Sequence, residues 1–271
     1  MLESLYKENL IYKYLLMSQT PKYSFLILLW CLKISITTIA QPFDSLFEVG
    51  LQLERNFNEK QALLKFNEAQ KLNPSNLQIL CKCSEICNRI GAREKNPKSK
   101  SAYFQSALAF AKKAHDLYPN NDESNVVMSM ALGRIALTKS GEDKIALVKE
   151  IKSYADKAIR INASNFKAWH ILGKWHYEIS SLNFLEKTAI KLFYVGLPES
   201  TLDSSINAYE KAKALSNKFC LNYLELAKAY YKNDNYVKAV ENLKILIKLP
   251  NTIEDDVSIK KEAYQLLKKW Q

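Results

Sequence analysis

The prolines of this chain recur at the same point of a local pattern. Pro74, Pro119 and Pro250 each follow an amphipathic stretch, in KLNPSN, DLYPNN and IKLPNT. Because proline cannot continue a helix interior, each of the three indicates the end of a helix. The 271 residues include only six glycines and seven prolines, which leaves little material for tight turns or glycine-rich phosphate loops. The sequence therefore predicts packed helices that repeat along the chain.

Small residues recur in register with these prolines. Counting back from Pro74 as position 32 of a 34-residue unit places Gly50, Ala62 and Ala69 at positions 8, 20 and 27. Small side chains at these positions let two helices approach closely, and larger residues such as Phe66 fill the space between them. The same frame returns downstream with Ala107, Ala111, Ala114, Ala155, Ala158, Gly173, Ala212, Ala227 and Ala239. This spacing is typical of the tetratricopeptide repeat.

We therefore expect an all-α fold for residues 41–271, a tetratricopeptide-type right-handed helical solenoid of about five helix pairs with long inter-helix insertions. A solitary C-terminal helix over residues 255–270 is expected to cap the stack, with Val257, Ile259, Ala263, Leu266 and Leu267 on its apolar face. Glu254, Asp255 and Asp256 lie at the start of this helix, where the helix dipole accounts for them. The apolar spacer at 184–195 is expected to pack back onto the stack as a lid, and if exposed it would instead form a second partner surface or a membrane-touching helix.

Residues 1–40 have the pattern of a secretory signal. The apolar run FLILLWCL follows Lys22, and Thr38-Ile39-Ala40 precedes Gln41, so we expect cleavage after Ala40 and a true start at Met17. A periplasmic or secreted protein follows from cleavage, whereas a retained leader would act as a membrane anchor. Sequencing the N-terminus of the mature protein separates the two, because export requires a start at Gln41.

The charge of the chain is basic but consists mostly of lysine. There are 39 basic and 28 acidic side chains, for a net charge of +11, and only five of the basic residues are arginines. Since bidentate recognition of phosphates and bases favours the guanidinium group, we expect no nucleic-acid partner. A lysine-rich surface is most simply a solvated face, and the alternative is attraction of an acidic partner.

Histidine and cysteine offer no catalytic or metal-binding spacing. Cys83 and Cys87 fall at core positions of the repeat, and Cys81 points elsewhere on the same helix. His170 and His176 are six residues apart and face nearly opposite sides of a helix, so they cannot chelate one ion together. We expect no catalytic residue, no metal and no cofactor. If the protein is exported, its cysteines lie in an oxidising compartment.

The second part of the chain, from about residue 100 to the end, resembles the regulator of microtubule dynamics family. The matching features are Leu172-Gly173 with Trp175 and Tyr177, a long spacer ending at Pro198, the helix AYEKA, and the acidic step after Pro250. The resemblance implies a non-enzymatic tetratricopeptide-type binding protein, which in eukaryotes is associated with microtubules and with mitochondrial or endoplasmic-reticulum membranes. The signal-like leader fits an exported bacterial relative better than a cytoplasmic one.

A peptide groove is predicted on the first helices of the fourth and fifth units. Positions 2, 5, 9 and 12 of such helices face the concave side of the solenoid. These positions hold Lys167, His170, Lys174 and Tyr177 in the fourth unit and Leu221, Leu224, Lys228 and Tyr231 in the fifth. We interpret them as a groove for an acidic, partly apolar protein segment, with the tyrosines as rigid contacts and the lysines as charge complements.

Two alternatives accompany this hypothesis. Tyr177 and His170 can instead pack on neighbouring helices, with no role in binding. A basic surface can also act on the acidic tails of tubulin, which would make the protein a microtubule-associated regulator rather than a scaffold for an unknown protein or peptide. Membrane contact is expected only if the leader is retained.

Overall fold

The structure is a computed structural model that describes residues 41–183, 188, 198 and 200–270. Across these ranges the chain forms helices and no strands, which confirms the all-α solenoid. The helices are α1 Gln41–Arg55, α2 Glu59–Leu72, α3 Leu77–Arg93, α4 Pro97–Leu117, α5 Asp122–Ala136, α6 Gly141–Ile161, α7 Phe166–Ser180, α8 Leu202–Leu215, α9 Cys220–Lys232, α10 Tyr236–Leu246 and α11 Asp256–Trp270. The expectations for the leader and for the apolar residues of the spacer lie outside the described residues.

The chain divides into two compact units, Met1–Leu46 and Phe47–Gln271, and the features below belong to the second unit. Its helices form consecutive pairs followed by the single helix α11. Within the described ranges, none of the helices is both long and apolar enough to cross a membrane.

Asparagine starts several of these helices. Asn76 accepts a hydrogen bond from the backbone N–H of Ile79, and Asn121 does the same for Ser124, at 3.1 and 3.2 Å. Asn165 caps α7 by accepting from the N–H of Ala168 at 3.2 Å. An oxygen acceptor at this position satisfies one of the free N–H groups of the first turn. In PSN and PNN, proline therefore stops one helix and asparagine begins the next, two residues later.

The small-residue positions bring the paired helices into contact, as the repeat pattern predicts. A Cβ atom added to Gly50 of α1 would lie 2.5 Å from the ring of Phe66 on α2, and one added to Gly173 of α7 would lie 2.7 Å from the ring of Tyr209 on α8. Phe66 and Tyr209 are fully buried. Each glycine thus makes room for an aromatic ring from the second helix of its pair.

The last helix covers the end of the stack with the expected face, except at one residue. Ile259, Ala263 and Leu267 are buried against α9 and α10, where Leu243 is also fully buried. Val257, predicted on the same face, is 59% exposed, so that part of the prediction is wrong. Residues two apart on a helix point about 200° from each other, so Val257 cannot share the face of Ile259.

Candidate functional site

The predicted groove residues lie on α7 and α9, the first helices of the fourth and fifth pairs. On each helix they follow spacings of three and four residues, which places them along one side. The structure separates them into two groups. Tyr177 and Tyr231 are half-buried, as are the groove lysines and Leu221, whereas His170 and Leu224 are buried.

The three lysines are already ion-paired with carboxylates of the chain. Lys167 lies 2.6 Å from Glu85 on α3 and 3.0 Å from Glu123 on α5. Lys174 lies 2.7 Å from Glu225, and Lys228 lies 3.1 Å from the same carboxylate. Lys174 also lies 2.9 Å from the exposed carboxylate of Glu178, and Lys228 lies 2.8 Å from that of Glu262.

Glu225 is the fixed centre of this charge cluster. Its side chain is only 8% exposed, and its two oxygens receive Lys174 and Lys228 from different helices. Burial acts to raise the pKa of Glu225, but the two ammonium groups outweigh burial and hold the pKa below its usual value. Glu225 therefore stays ionised and keeps both lysines charged and aligned between α7 and α9.

His170 has a structural position rather than a free one. Its Nδ1 lies 3.0 Å from Oδ1 of Asn222, whose Nδ2 donates to the backbone oxygen of Tyr209 at 2.9 Å. Because that oxygen atom of Asn222 can only accept, Nδ1 of His170 carries the proton. The ring also packs on Tyr209 and Phe219, and burial lowers the pKa of His170. The histidine thus ties α7 to α8 and α9, as the packing alternative predicts.

Leu224 belongs to the hydrophobic core. It is 1% exposed and packs in the cluster that includes Leu243, Leu246 and Ala263. A ligand on the surface of α9 cannot touch Leu224 while this core is closed.

The rings of the two predicted tyrosines are held by different kinds of neighbour. Tyr177 lies close to two cations, with Nζ of Lys174 5.5 Å and Nζ of Lys232 5.4 Å from its ring centroid. Tyr231 stacks on Trp270 of α11, with centroids 4.0 Å apart and planes 12° apart. Both rings are held by neighbours, so they lose little further conformational freedom when a ligand covers them.

A second ionic cluster lies on the first helices and was not predicted. Glu59 is fully buried at the start of α2 and pairs with Arg89 at 2.6 Å and with Arg93 at 2.7 Å. Arg93 also contacts Glu254 at 3.4 Å and Asp255, on the loop before α11. The dipole of α11, which was predicted to account for these two acidic residues, is therefore only part of the explanation, because both also contact Arg93.

A match to one family model covers residues 43–271, and the model describes Regulator of microtubule dynamics protein 1-3. The chain belongs to this family. Among its relatives, Regulator of microtubule dynamics protein 1 of Bos taurus is 24% identical over 234 residues, which is 86% of this chain and 71% of the relative. The Mus musculus protein of the same name is 25% identical over 233 residues, 86% of this chain and 74% of the relative.

The fold is also found among solved structures. A thermophilic tetratricopeptide repeat protein of Thermus thermophilus superposes with a TM-score of 0.62 at 15% identity, over 83% of this chain and 98% of the other. This similarity shows the tetratricopeptide fold of the family member, and it confirms the repeat predicted from the spacing of proline and small residues.

In this member of the regulator of microtubule dynamics family, the repeat pattern could have identified some of the carboxylates that pair with the groove lysines. Glu85 and Glu123 occupy concave positions 9 and 2 of the second and third units, so the rule that selected Lys167 also selects both. The rule could not show that they meet, because Lys167 and Glu85 are 82 residues apart. Glu225 falls at position 6, outside the rule, and only the structure reveals its role.

This family member also contains a cavity of about 350 Å³ between α4, α5 and α6. Leu108, Met128, Leu132 and Tyr154 form much of its wall, and His115 lies beside them. Nε2 of His115 is buried without a hydrogen-bond partner, and burial lowers the pKa of the ring. Among the described residues, no group of three or more histidine, cysteine or acidic side chains is placed to hold a metal ion.

Proposed function

We propose that this chain is a non-enzymatic scaffold that binds a protein segment on the surface formed by α7 and α9. The observation that carries the proposal is the pair of half-buried tyrosines, Tyr177 and Tyr231, on consecutive first helices with lysines beside them. Pre-positioned aromatic rings are the side chains that contribute most to protein interfaces. The helical-repeat fold and the family support the non-enzymatic part of the proposal.

An acidic ligand binds the predicted lysines of this surface by displacing carboxylates of the chain from them, rather than by attraction to unpaired lysines. Lys174 and Lys228 are paired with the carboxylates of Glu178, Glu225 and Glu262. Neither lysine is therefore an unpaired cation that waits for a ligand. The side chains of Glu178 and Glu262 are 60% and 47% exposed, whereas that of Glu225 is 8% exposed. An acidic segment can therefore displace the two exposed carboxylates, while Glu225 keeps the lysines in place.

The experiment is affinity purification of the tagged chain from its native host, with mass spectrometry of the proteins captured. Substitution of Tyr177 and Tyr231 by Ala should remove the specific partner, because both rigid contacts are lost. Tyr264→Ala is the matched control, since Tyr264 is 58% exposed on α11 and lies outside the groove. Equal capture by the double variant and by the control would contradict the proposal.

A second variant tests the exchange of carboxylates. Replacing Glu178 and Glu262 by Gln frees Lys174 and Lys228 without disturbing the buried pairs to Glu225, so an acidic partner should bind more tightly. Charge reversal of Lys174 and Lys228 to Glu should abolish capture of an acidic partner. It also breaks the pairs with Glu225, so its effect is interpreted only where the variant unfolds at the same temperature as the wild type.

Regulation of microtubules is the second candidate function, and the name of the family favours it. In this case the basic surface would act on the acidic tails of tubulin. Co-sedimentation with microtubules should then decrease at moderate salt and after proteolytic removal of those tails. Binding that survives both treatments excludes this mode. Sequencing of the mature N-terminus bears on the same question, since a chain exported after cleavage at Ala40 would not meet microtubules.

A further inference from the structure

One lysine beside the groove has no carboxylate next to it. Lys232 lies in the last turn of α9 and is exposed, and its Nζ lies 5.4 Å from the ring centroid of Tyr177 on α7. Among the residues that the structure describes, no carboxylate lies within ion-pair distance of this ammonium group. Lys232 therefore differs from Lys174 and Lys228, which both contact the buried carboxylate of Glu225.

Two acidic residues around the end of α9 are engaged by neutral donors instead. Oδ1 of Asp234 accepts a hydrogen bond from the hydroxyl group of Tyr236 at 2.8 Å. Oδ1 of Asp203 accepts one from Nδ2 of Asn233 at 3.1 Å. Because these carboxylates are oriented by neutral partners, the ammonium group of Lys232 keeps its capacity to form an ion pair with a ligand.

The ammonium group of Lys232 is held in place by two favourable interactions. A tyrosine ring attracts a cation that lies within about 6 Å of its centroid, as Tyr177 does here. The last turn of a helix also attracts a cation, because the free carbonyl groups carry partial negative charge. A ligand therefore meets a side chain that has already lost part of its conformational freedom, which lowers the cost of binding.

Apolar surface is exposed at the beginning of the next helix. Tyr236 and Val237, the first two residues of α10, are 50% and 80% exposed. The ring of Tyr236 lies against that of Tyr231, with centroids 5.0 Å apart and planes at 71°. Tyr231 directly precedes Lys232 on α9, so it joins this apolar surface to the groove. The end of α9 and the start of α10 thus present a cation together with apolar side chains.

We propose that Lys232, Tyr236 and Val237 form a contact site at the end of the groove, the Lys232 site, which receives one acidic and one large apolar side chain of the bound segment. The inference rests on the proposed scaffold function and deepens it by naming the partner's chemistry, an Asp or Glu close in sequence to a large apolar residue. The carboxylate pairs with Lys232 without displacing a carboxylate of the chain. This contact gives the segment its preference for acidic residues, and the apolar side chain covers Tyr236 and Val237.

The experiment starts with a phage library of random peptides selected on the full chain. Peptides that also bind the variant Tyr177→Ala with Tyr231→Ala are removed, so the retained peptides depend on the groove. Their sequences should be enriched in Asp or Glu close to a large apolar residue, because the Lys232 site selects both. Retained peptides without this acidic enrichment would overturn the inference.

Fluorescence anisotropy of one retained peptide then tests the ion pair directly, with the same peptide carrying amides in place of its carboxylates as the control. Lys232→Gln should weaken binding of the acidic peptide by about three- to fivefold, as expected of an exposed ion pair. It should leave the affinity of the amide peptide unchanged, and Lys232→Arg should retain the affinity of the acidic one. The difference between the peptides should decrease at high salt. An equal effect of Lys232→Gln on both peptides would refute the ion pair.

Matched variants elsewhere in the chain separate the site from general effects of charge and surface polarity. Lys71→Gln also removes an exposed lysine from the last turn of a helix, α2, and should not change the affinity. Val237→Ser should weaken binding by about threefold, whereas Leu137→Ser, at a residue that is 71% exposed at the end of α5, should not. Thermal unfolding checks that each variant is folded. Weaker binding by the Lys71 variant, or full binding by the Val237 variant, would contradict the proposal.

The scaffold function and the Lys232 site fail in distinguishable ways. If every selected peptide also binds the double tyrosine variant, the groove binds no segment and both proposals are wrong. If peptides that depend on the tyrosines are retained but bind equally well after Lys232→Gln, the groove is a binding surface and only the Lys232 site is wrong.

Discussion

Two glycines, Gly173 and Gly133, lie inside helices of this protein, and only Gly173 is tightly packed against a neighbouring side chain. A Cβ atom added to Gly173 would lie 2.7, 2.8 and 2.9 Å from three atoms of the Tyr209 ring, whereas one added to Gly133 would meet nothing within 4 Å. Tyr209 is fully buried, so its ring has no free volume into which it can retreat. The same substitution, Gly to Ala, should therefore change stability in opposite directions at these two positions.

The magnitudes follow from two effects. Alanine is favoured over glycine in a helix interior by about 0.8–1 kcal/mol, and this gain applies at both positions. Overpacking a close-packed site costs about 1–3 kcal/mol, and it applies only at Gly173. We expect Gly173→Ala to lower the free energy of unfolding by about 1–2 kcal/mol, because the contacts involve the ring near its attachment rather than a flexible end. Gly133→Ala should raise it by about 0.5–1 kcal/mol.

Urea unfolding followed by circular dichroism and by tryptophan fluorescence measures both values. Trp175 is buried on α7, so fluorescence reports on the helix that carries Gly173. In the background of Tyr209→Leu the cost of Gly173→Ala should shrink, because the ring that it strikes is gone. Equal effects of the two alanine substitutions, or an undiminished cost in the Tyr209→Leu background, would refute the close-approach explanation.

Three further predictions concern buried groups. Burial raises the pKa of Cys81, Cys87 and Cys220 to about 12 and also raises that of Cys83. These free thiols should therefore resist alkylation in the folded protein and react in urea. Mass spectrometry of the alkylated peptides measures the difference. Burial lowers the pKa of His170, His115 and His176, so the unfolded chain binds more protons than the folded chain. The free energy of unfolding should therefore fall as pH decreases through about 6.5. Urea titrations at several pH values measure this decrease, which His170→Gln should make smaller. Glu59→Gln leaves Arg89 and Arg93 short of a buried partner and should cost about 3–5 kcal/mol, whereas Glu48→Gln, which loses an exposed pair with Arg55, should change the free energy of unfolding by less than about 0.5 kcal/mol.

The basic charge of the chain has a different meaning in the structure from the one that composition suggests. Lys167, Lys174 and Lys228, chosen as charge complements for a partner, are each held by carboxylates of the chain itself. Arg134, which no sequence pattern selects, is a cation with no carboxylate partner among the described residues. Counting charges along the sequence therefore locates basic residues but does not show which of them can still receive an acidic ligand.

The helices and their pairing could be predicted from the sequence because both are encoded locally. Proline and asparagine mark where one helix ends and the next begins, and the 34-residue frame places Gly50 opposite Phe66 and Gly173 opposite Tyr209. Each of these contacts joins residues of one helical hairpin. The prediction failed at Val257, which was placed on the apolar face of α11 together with Ile259. Two residues that are two positions apart do not follow the helical period, so they cannot share one face.

The candidate sites depend on contacts that no local pattern contains. Lys167 reaches Glu85 across 82 residues, and the N–H of Glu59 reaches Glu254 across 195. The repeat frame gives the side of the helix on which a residue lies, and the two tyrosines that it selects, Tyr177 and Tyr231, are half-buried in the structure. Their role as contacts for a partner stays a prediction. The frame does not give the rotation between successive pairs. That rotation is set by side-chain packing summed over several repeats, and it decides which charged side chains meet and which, like Arg134, have no carboxylate beside them among the described residues.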